Sequence, residues 1–556
     1  MTSSASALST PILAGIETEY GIAIRGAPAV DPVVASQLLL AGCRPAIPAR
    51  AVPPDRVRDD LMLPNGARFY VDHAHPEYST PECRSFRDLV AADRAGERIV
   101  DRCRALVERE GLLASGQRLA LYKNNSDGAG NSYGCHENYL VSRATWDAVV
   151  ASAAGMAAFV PFIVTRMLLC GAGKVGAENA TTPVGFQLSQ RADFIEELRG
   201  VQTTYRRPLL NLRDEAHARN YRRLHVIVGD ANLAERSTWL KVGTTALVLA
   251  LIEAGRAPAG FRLRDPVHAI REVSRDLTFR AQLELDGSGC ATALEVQRAF
   301  LAAARALVGD RPQLGVHRPI LDAWHDALTG IAEDWTRLAD RIDWAVKRVL
   351  LERVLARNGA VWDEVVAWQP VIEATAELSR PAVPALDDPE SRLDADLGRT
   401  RAARVREVAS TAGIAWGEYW QRRDLHYALR RIDLEYHEIR AASSAPALFT
   451  RLEQAGVINR LIEDHEIDAR VNQPPADTRA WIRGRLIEQF ASQLLAVDWS
   501  EVALRVPGRA QPLRVELADP FAGSGPCGDA WLAAIARHVH GPARDMDAMQ
   551  IEGDHE

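Results

Sequence analysis

Residues Asn65–Cys83 read NGARFYVDHAHPEYSTPEC, and this stretch sets the reading of the whole chain. Asn65-Gly66 is a turn signal, and Ala67 to Asp72 after it has the composition of a strand. Side chains on a strand repeat every two residues, so Arg68, Tyr70 and Asp72 share one face. Glu77 and Glu82 follow at once. Upstream, Ile12 to Ile22 (ILAGIETEYGI) alternates in the same manner, with Ile16, Thr18 and Tyr20 on one side and Glu17 and Glu19 on the other. Downstream, Arg118 to Lys123 reads as a short strand. Asn124 to Gly134 is turn-rich, and His136 to Val141 is extended, with His136 and Asn138 on one face. Leu224 to Val228 is a further strand carrying His225.

Each acidic residue taken singly reads as an ordinary surface group. Taken together, polar side chains facing inward from several strands are costly, because an unpaired buried carboxylate costs several kcal/mol or shifts its pKa. A divalent cation keeps such carboxylates ionised. Oxygen ligands with one or two histidines suit Mg²⁺ or Mn²⁺, and magnesium usually works with phosphates, so the cluster points to a nucleotide substrate.

Length and composition frame this. The chain has 556 residues, 47% hydrophobic and 25% charged, the profile of a soluble globular protein. Lys+Arg is 66 against Asp+Glu 73, a formal charge of −7, so no basic excess exists to neutralise a nucleic-acid backbone. Seven scattered cysteines without a C-x-x-C pair argue against a zinc ribbon or a disulfide framework and fit a reducing compartment. Met1 to Pro11 lacks a signal-peptide pattern, and the apolar run Ala148 to Val164 is shorter than a spanning helix, reading instead as a buried helix with a breaker. The expectation is a cytoplasmic protein without membrane or nucleic-acid partners.

The second half is mostly helical. Thr292-x-x-Glu295 is a capping box opening a helix with the stripe Val296, Phe300, Ala303 and Leu307. Asp340 to Arg357 is another helix, ended by Asn358-Gly359. From Gln369 to Asp396 the prolines and acids read as an exposed linker, part of an insertion over 369–406. The basic run Arg399 to Arg406 reads as a solvated helix face. The expected division is a large unit over 1–423, a small one over 424–522, and a mobile tail over 523–556.

Three alternative motifs fail on context. Gly171-Ala-Gly173-Lys174-Val-Gly176 matches G-x-G-x-x-G but lacks the strand before it and the helix after it, and it completes no Walker A. A G-x-S-x-G elbow is absent. Cys135 and His136 are strand neighbours pointing to opposite faces, so they form no nucleophilic pair, and Cys135 reads as buried and inert.

The motifs GIETEYG (Gly15 to Gly21), NGARFYVDHAHPEYSTPEC, LYKNNSDGAGNSYGCHENYL (Leu121 to Leu140) and YRRLHVIVGDANLAE (Tyr221 to Glu235) resemble the Pup ligase / Pup deamidase-depupylase family, related to glutamine synthetase and other carboxylate–amine ligases. The resemblance runs from about Gly15 to about Phe521. It implies an α+β fold: a glutamine synthetase-like large domain with a curved antiparallel sheet backed by helices, plus a small C-terminal domain. It also implies ATP and Mg²⁺ as cofactors, the ubiquitin-like modifier Pup and its conjugates as partners, and a link to a bacterial proteasome system. By matched position Glu17, Tyr70 and Glu77 look like magnesium ligands, and His136 and His225 are similar to the family's histidines near metals and phosphates. Arg68, Thr80 and Arg223 look like ATP contacts, Trp499 resembles the adenine-side tryptophan, and Asp72 matches the central aspartate.

The direction of chemistry divides the motifs. Asp72 to Tyr78 (DHAHPEY), Gly185 to Phe194 and Gly229 to Glu235 resemble the hydrolase, whereas Gly130 to Tyr139, Cys170 to Val175, Ile342 to Arg348 and Ala518 to Phe521 resemble the ligase. The hydrolase's long loop is missing, since only 40 residues separate Ile22 from Leu63. The Asp72 neighbourhood weighs most, because it decides what reaches the carbonyl, while a loop is modular. The expectation is therefore a loop-less depupylase or deamidase with Asp72 as nucleophile or base. A Pup–protein ligase and a non-catalytic nucleotide- or Pup-binding regulator are the alternatives.

Overall fold

The alternation around Glu17 is realised as strand β1 (Ala14–Glu19), followed by β2 (Gly21–Arg25) and helix α1 (Pro32–Cys43). Next come β3 (Asp60–Met62), β4 (Arg68–Asp72) and β5 (His75–Ser79). Helix α2 (Phe86–Arg109) is opened by the Ser85 side chain, which accepts from the Asp88 amide. Strands β6 (Arg118–Tyr122), β7 (Cys135–Val141) and β8 (Arg222–Val226) complete the set. The computed structural model describes residues 13–27, 30–43, 60–215, 217–287, 289–378, 389–440, 445–540 and 549–550. The loose start before Leu13, the linker over 379–388 and the chain after 540, apart from 549–550, lie outside the described residues.

Six strands form one sheet in the order β8-β7-β1-β5-β4-β3, every pairing antiparallel. β2 and β6 pair separately. The period-2 rule sorts the sheet's faces. Ile16, Thr18, Phe69, Tyr78, Cys135, Tyr139, Leu224 and Val226 are all buried on one face, where α1 and α2 pack. Strand β8 begins two residues before its expected start, and because the offset is even its facing is unchanged. Glu137 is fully buried on the core face. Arg166 donates to both its carboxylate oxygens at 2.6 and 2.7 Å, and the Tyr139 hydroxyl donates at 2.6 Å.

The apolar run after Ala148 splits into helices Arg143–Val150 and Ala153–Thr165, with Pro161 inside the second. Ala153–Cys170 is long and apolar enough to cross a membrane by length and composition, yet 72% of it is buried inside the protein. It is a core helix. The Thr292–Glu295 capping box is present.

Four expectations are corrected. The 369–406 stretch is no exposed linker where it is described. Helix α3 (Trp362–Ala374) runs through Pro370, and α4 (Pro389–Leu397) and α5 (Arg399–Thr411) form a hairpin beside it. Trp368, Val371, Ile372, Leu393, Leu397, Ala402 and Val405 make their own hydrophobic cluster. Charge and proline counts hid this apolar stripe, whose charged flanks pair with one another, as in Arg392–Asp396 and Arg406–Asp394. The basic run is an exposed helix face, as expected.

The boundary at 423/424 falls inside helix α6 (Tyr419–Tyr436), whose Leu425 and Leu429 belong to the large core. The separate C-terminal cluster begins near helix α7 (Arg479–Gln489), with Ile482, Leu486, Val502 and Val515. The tail is no free end from 523 onward, because helix α8 (Pro526–His540) packs Leu532, Ile535 and Val539 onto that cluster. Lastly, Cys43 and Cys103 form a disulfide joining α1 to α2, where scattered cysteines had suggested free thiols.

Candidate active site

The polar face of the six-stranded sheet lines an open cavity of about 330 Å³. Register places its side chains. Glu17 stands opposite His136 on one side and Ser79 on the other, and Glu19 stands opposite Glu77, which stands opposite Tyr70. His225 lies opposite Asn138, and Arg68 opposite Ser79. Five strands from distant parts of the chain thus place Glu17, Arg68, Tyr70, Asp72, Glu77, His136, Arg223 and His225 around one cavity, with Trp499 entering from the C-terminal unit. Thr80 sits apart. It has opposite strand parity, its Oγ1 accepts from the Ile16 amide at 3.0 Å, and it lines a narrower adjoining cavity of about 110 Å³ with Glu82 and Arg479.

Two ligand groups stand side by side. Glu17, His136 and His225 bring one donor atom each to within 4.8 Å of one another, and so do Glu19, Asp72 and Glu77. Glu17 accepts from Asn138 Nδ2 at 3.0 Å and from Arg223 at 3.4 Å, with His136 Nδ1 at 3.3 Å. Burial would raise this carboxyl, but His136, His225 and Arg223 together hold it well below the usual range. Glu77 behaves in the opposite way: burial, then the charges of Glu17, Glu19 and Asp72, push it well up. Burial also pushes the Tyr70 phenol up and the His225 imidazolium down, keeping both neutral. The Tyr70 hydroxyl donates to Glu77, and Ser79 does so at 3.2 Å.

The expected metal ligands Glu17, Glu77, His136 and His225 therefore converge, while Tyr70 presents a protonated phenol already committed to Glu77. The donor set of carboxylates and imidazoles fits a divalent cation. So does the electrostatics: Glu17, Glu19, Asp72 and Glu77 crowd one face, and the nearby arginines are already engaged. Arg68 is paired with Asp60 at 2.9 and 2.5 Å, and Arg223 with Glu215 at 2.7 Å.

Arg68 lies over the Tyr70 ring, 4.1 Å from its centroid. Arg483 lies 4.9 Å from the Trp499 ring centroid and donates to the Trp499 carbonyl, fixing the indole at the cavity wall. Sequence reasoning missed four contributors as site residues. Glu19 had been placed on the polar face but given no role, and Asn138 shares the parity of His136 and ties Glu17, Arg223 and His225 together. Asp60 sits on a three-residue strand and Glu215 on a loop, where no periodicity exists to find them.

The rejected motifs stay rejected. Gly173 and Gly176 have φ of 71° and 81°, which lets Lys174–Val175 turn into a short hairpin with Phe186–Gln187. Cys135 is buried on the core face, with its thiol pushed up by burial.

The profile of a family described as Pup-ligase protein matches residues 12–370 and 411–503, skipping the α4–α5 hairpin. A protein named depupylase from Acidothermus cellulolyticus is 36% identical over 546 residues, covering 92% of this chain and 94% of that one. A Pup–protein ligase from Nocardia farcinica is 37% identical over 519 residues, covering 91% and 96%. Among solved structures, the complex between the prokaryotic ubiquitin-like protein Pup and its ligase PafA superposes with a TM-score of 0.72 at 30% identity, covering 95% of this chain and 93% of that one. The ligase PafA in complex with ADP gives 0.66 at 32% identity, covering 86% and 91%.

Proposed function

The chain belongs to the Pup-ligase family, and from that premise we propose that it is an ATP- and Mg²⁺-dependent hydrolase of the amide or isopeptide bond at the C-terminal Gln or Glu side chain of Pup. The observation that carries this reading is the position of Asp72. It ends β4 at a two-residue turn, directly opposite His75, with its carboxylate in the cavity. That tight turn leaves Asp72 at the open end of the cradle, where it can meet a glutamyl carbonyl. Asp72 acts as nucleophile on that carbonyl or takes a proton from water. The net reaction adds water across the C–N bond, giving a carboxylate and an amine that leaves with a proton.

Glu17, Glu77, His136 and His225 would hold the divalent cation, and Arg68, Arg223, Thr80 and Trp499 the nucleotide. Cation and polyphosphate, when bound, supply the positive charge and phosphate oxygens that offset and orient the carboxylates. The remaining parts are the chain's own: Asn138 fixes Glu17 and His225, and Ser79 and Tyr70 fix Glu77. The relatives' names support a role in Pup chemistry.

The test is an assay of purified protein with Mg²⁺-ATP and either a Pup conjugate or Pup ending in Gln. Release of target or ammonia with little ATP consumed is expected. Stoichiometric ATP consumption with new conjugates would favour the second reading, a Pup–protein ligase in which Asp72 deprotonates the incoming lysine. The ligase reading draws on the short connection between Ile22 and Leu63 and on the ligase superposition.

A further inference from the structure

Of the four carboxylates that the sheet strands crowd together, Glu17, Glu19, Glu77 and Asp72, three are oriented by several neighbours or by the backbone. Glu17 accepts from Asn138 and Arg223, Glu77 from Tyr70 and Ser79, and Glu19 from the Gly134 amide at 2.8 Å. Asp72 is different. Among the described residues its one hydrogen-bond partner is His73, with Nδ1 at 2.8 Å from Oδ2. His73 lines the same cavity, and its side chain is 60% exposed.

His73 also sits where a histidine costs something. The chain reverses between Asp72 and His75 in two residues, and His73 takes φ of 52°, in the left-handed region that glycine or asparagine occupies more easily. A turn needing only reversal has no use for an imidazole at that position. The strained backbone instead returns the ring onto the carboxylate beside it.

We propose that His73 is a positioning residue for Asp72: its Nδ1–H donates to Oδ2 and holds the carboxylate in one rotamer, leaving Oδ1 for the glutamyl carbonyl or its attacking water. The inference rests on the reading of Asp72 as the group that carries the chemistry. It adds that the aspartate's orientation comes from its sequence neighbour, across the peptide bond, and not from the sheet. The imidazole also places a hydrogen-bond donor beside Asp72, where Glu19 and Glu77 bring further carboxyl groups close.

The experiment compares His73→Gly, His73→Ala and His73→Asn with the wild type, using whichever Pup reaction the wild type performs. His73→Gly relieves the backbone and removes the donor. His73→Asn accepts the left-handed conformation and restores an N–H. We expect His73→Gly and His73→Ala to lower kcat by roughly 10- to 100-fold, the scale of a small misplacement of a reacting group. KM for the Pup substrate and the Kd for Mg²⁺-nucleotide should stay within about twofold, since uniform binding is untouched. His73→Asn should recover most of the lost rate.

Full kcat in His73→Gly overturns the proposal, as does a loss that appears in KM alone. A His73→Asn variant no faster than His73→Gly overturns it too. Asp72→Asn, run alongside, separates the two claims. If Asp72→Asn turns over normally, the assignment of chemistry to Asp72 is at fault. If it is inactive while His73→Gly is unaffected, the positioning claim alone falls.

Discussion

Glu19 and Glu77 stand directly opposite each other across the antiparallel strands β1 and β5, two like charges on one face of a sheet. Such a pair is destabilising by itself, and here Glu17 and Asp72 add to it. Charge is thus concentrated where a cation, or a proton on Glu77, relieves it. The sheet's other face shows the contrast, since Glu137 there is matched by Arg166 within the chain.

The first prediction follows from that pair. Glu77→Gln should raise the melting temperature of the metal-free protein by a few degrees while weakening Mg²⁺ at least tenfold, read by calorimetry with and without Mg²⁺. The pH dependence has a definite sign. Because the Glu77 carboxyl is pushed up in the folded state, its share of metal-free stability is present below the ordinary glutamate range and is lost as pH rises through the raised value. Mg²⁺ should remove this loss, and its binding should release protons. Identical pH–stability curves with and without the ion would contradict the arrangement.

A second prediction concerns Asp72. Asp72→Asn keeps shape and loses the charge, so nucleotide affinity should change little while turnover falls by at least about 10²-fold. Equilibrium nucleotide binding and single-turnover rates check the two halves separately.

Glu82 joins the end of β5 to the C-terminal unit. Arg483 Nη2 donates to it at 2.6 Å and Arg479 Nε at 2.8 Å, both arginines being buried. Burial would raise the Glu82 carboxyl, but Arg483 and Arg479 bring it from 4.5 down to about 2. Its stabilisation is therefore complete above the ordinary glutamate value and disappears as pH falls toward 2, on the order of 3 kcal/mol in all. Glu82→Ala strands two buried guanidinium groups and should cost about 3–5 kcal/mol at neutral pH. Urea unfolding at pH 7 and pH 3 measures both, and the mutant's loss should shrink at the lower pH.

The Cys43–Cys103 bond closes a loop of 60 residues that contains β3, β4 and β5. Loop-closure entropy gives such a link about 4 kcal/mol. Cys43→Ser, or reduction of the wild type, should lower the denaturation midpoint accordingly. Thiol titration after denaturation without reductant should find Cys83, Cys135, Cys170, Cys290 and Cys527 reactive but not Cys43 or Cys103.

Much of the cradle was legible because strand parity is a strict local rule. Once Arg68, Tyr70 and Asp72 are read as one face, and Glu17 as facing away from Ile16, only pairing remains to be supplied. Thr80 follows Ser79 with opposite parity and lines an adjoining cavity that shares Glu17, Ser79, Arg223 and Trp499 with the cradle. The α4–α5 hairpin shows a limit. Its acids and prolines dominate any composition count, while the few apolar residues that decide its packing, Leu393, Leu397, Ala402 and Val405, act only when a helix brings them onto one side.

Local order alone determined which side chains of each strand look the same way, where helices begin, and that the chain carries more inward-facing carboxylates than a dry core tolerates. The tertiary structure decided which strands lie side by side, and therefore that Glu19 meets Glu77, that Asn138 serves three partners, and that Asp72 is left to His73. The division has a physical cause. Alternation and capping are fixed by covalent geometry over a few residues. The pairing of β1 with both β5 and β7 instead depends on burying apolar surface contributed from places far apart along the chain, and no short window of residues contains that sum.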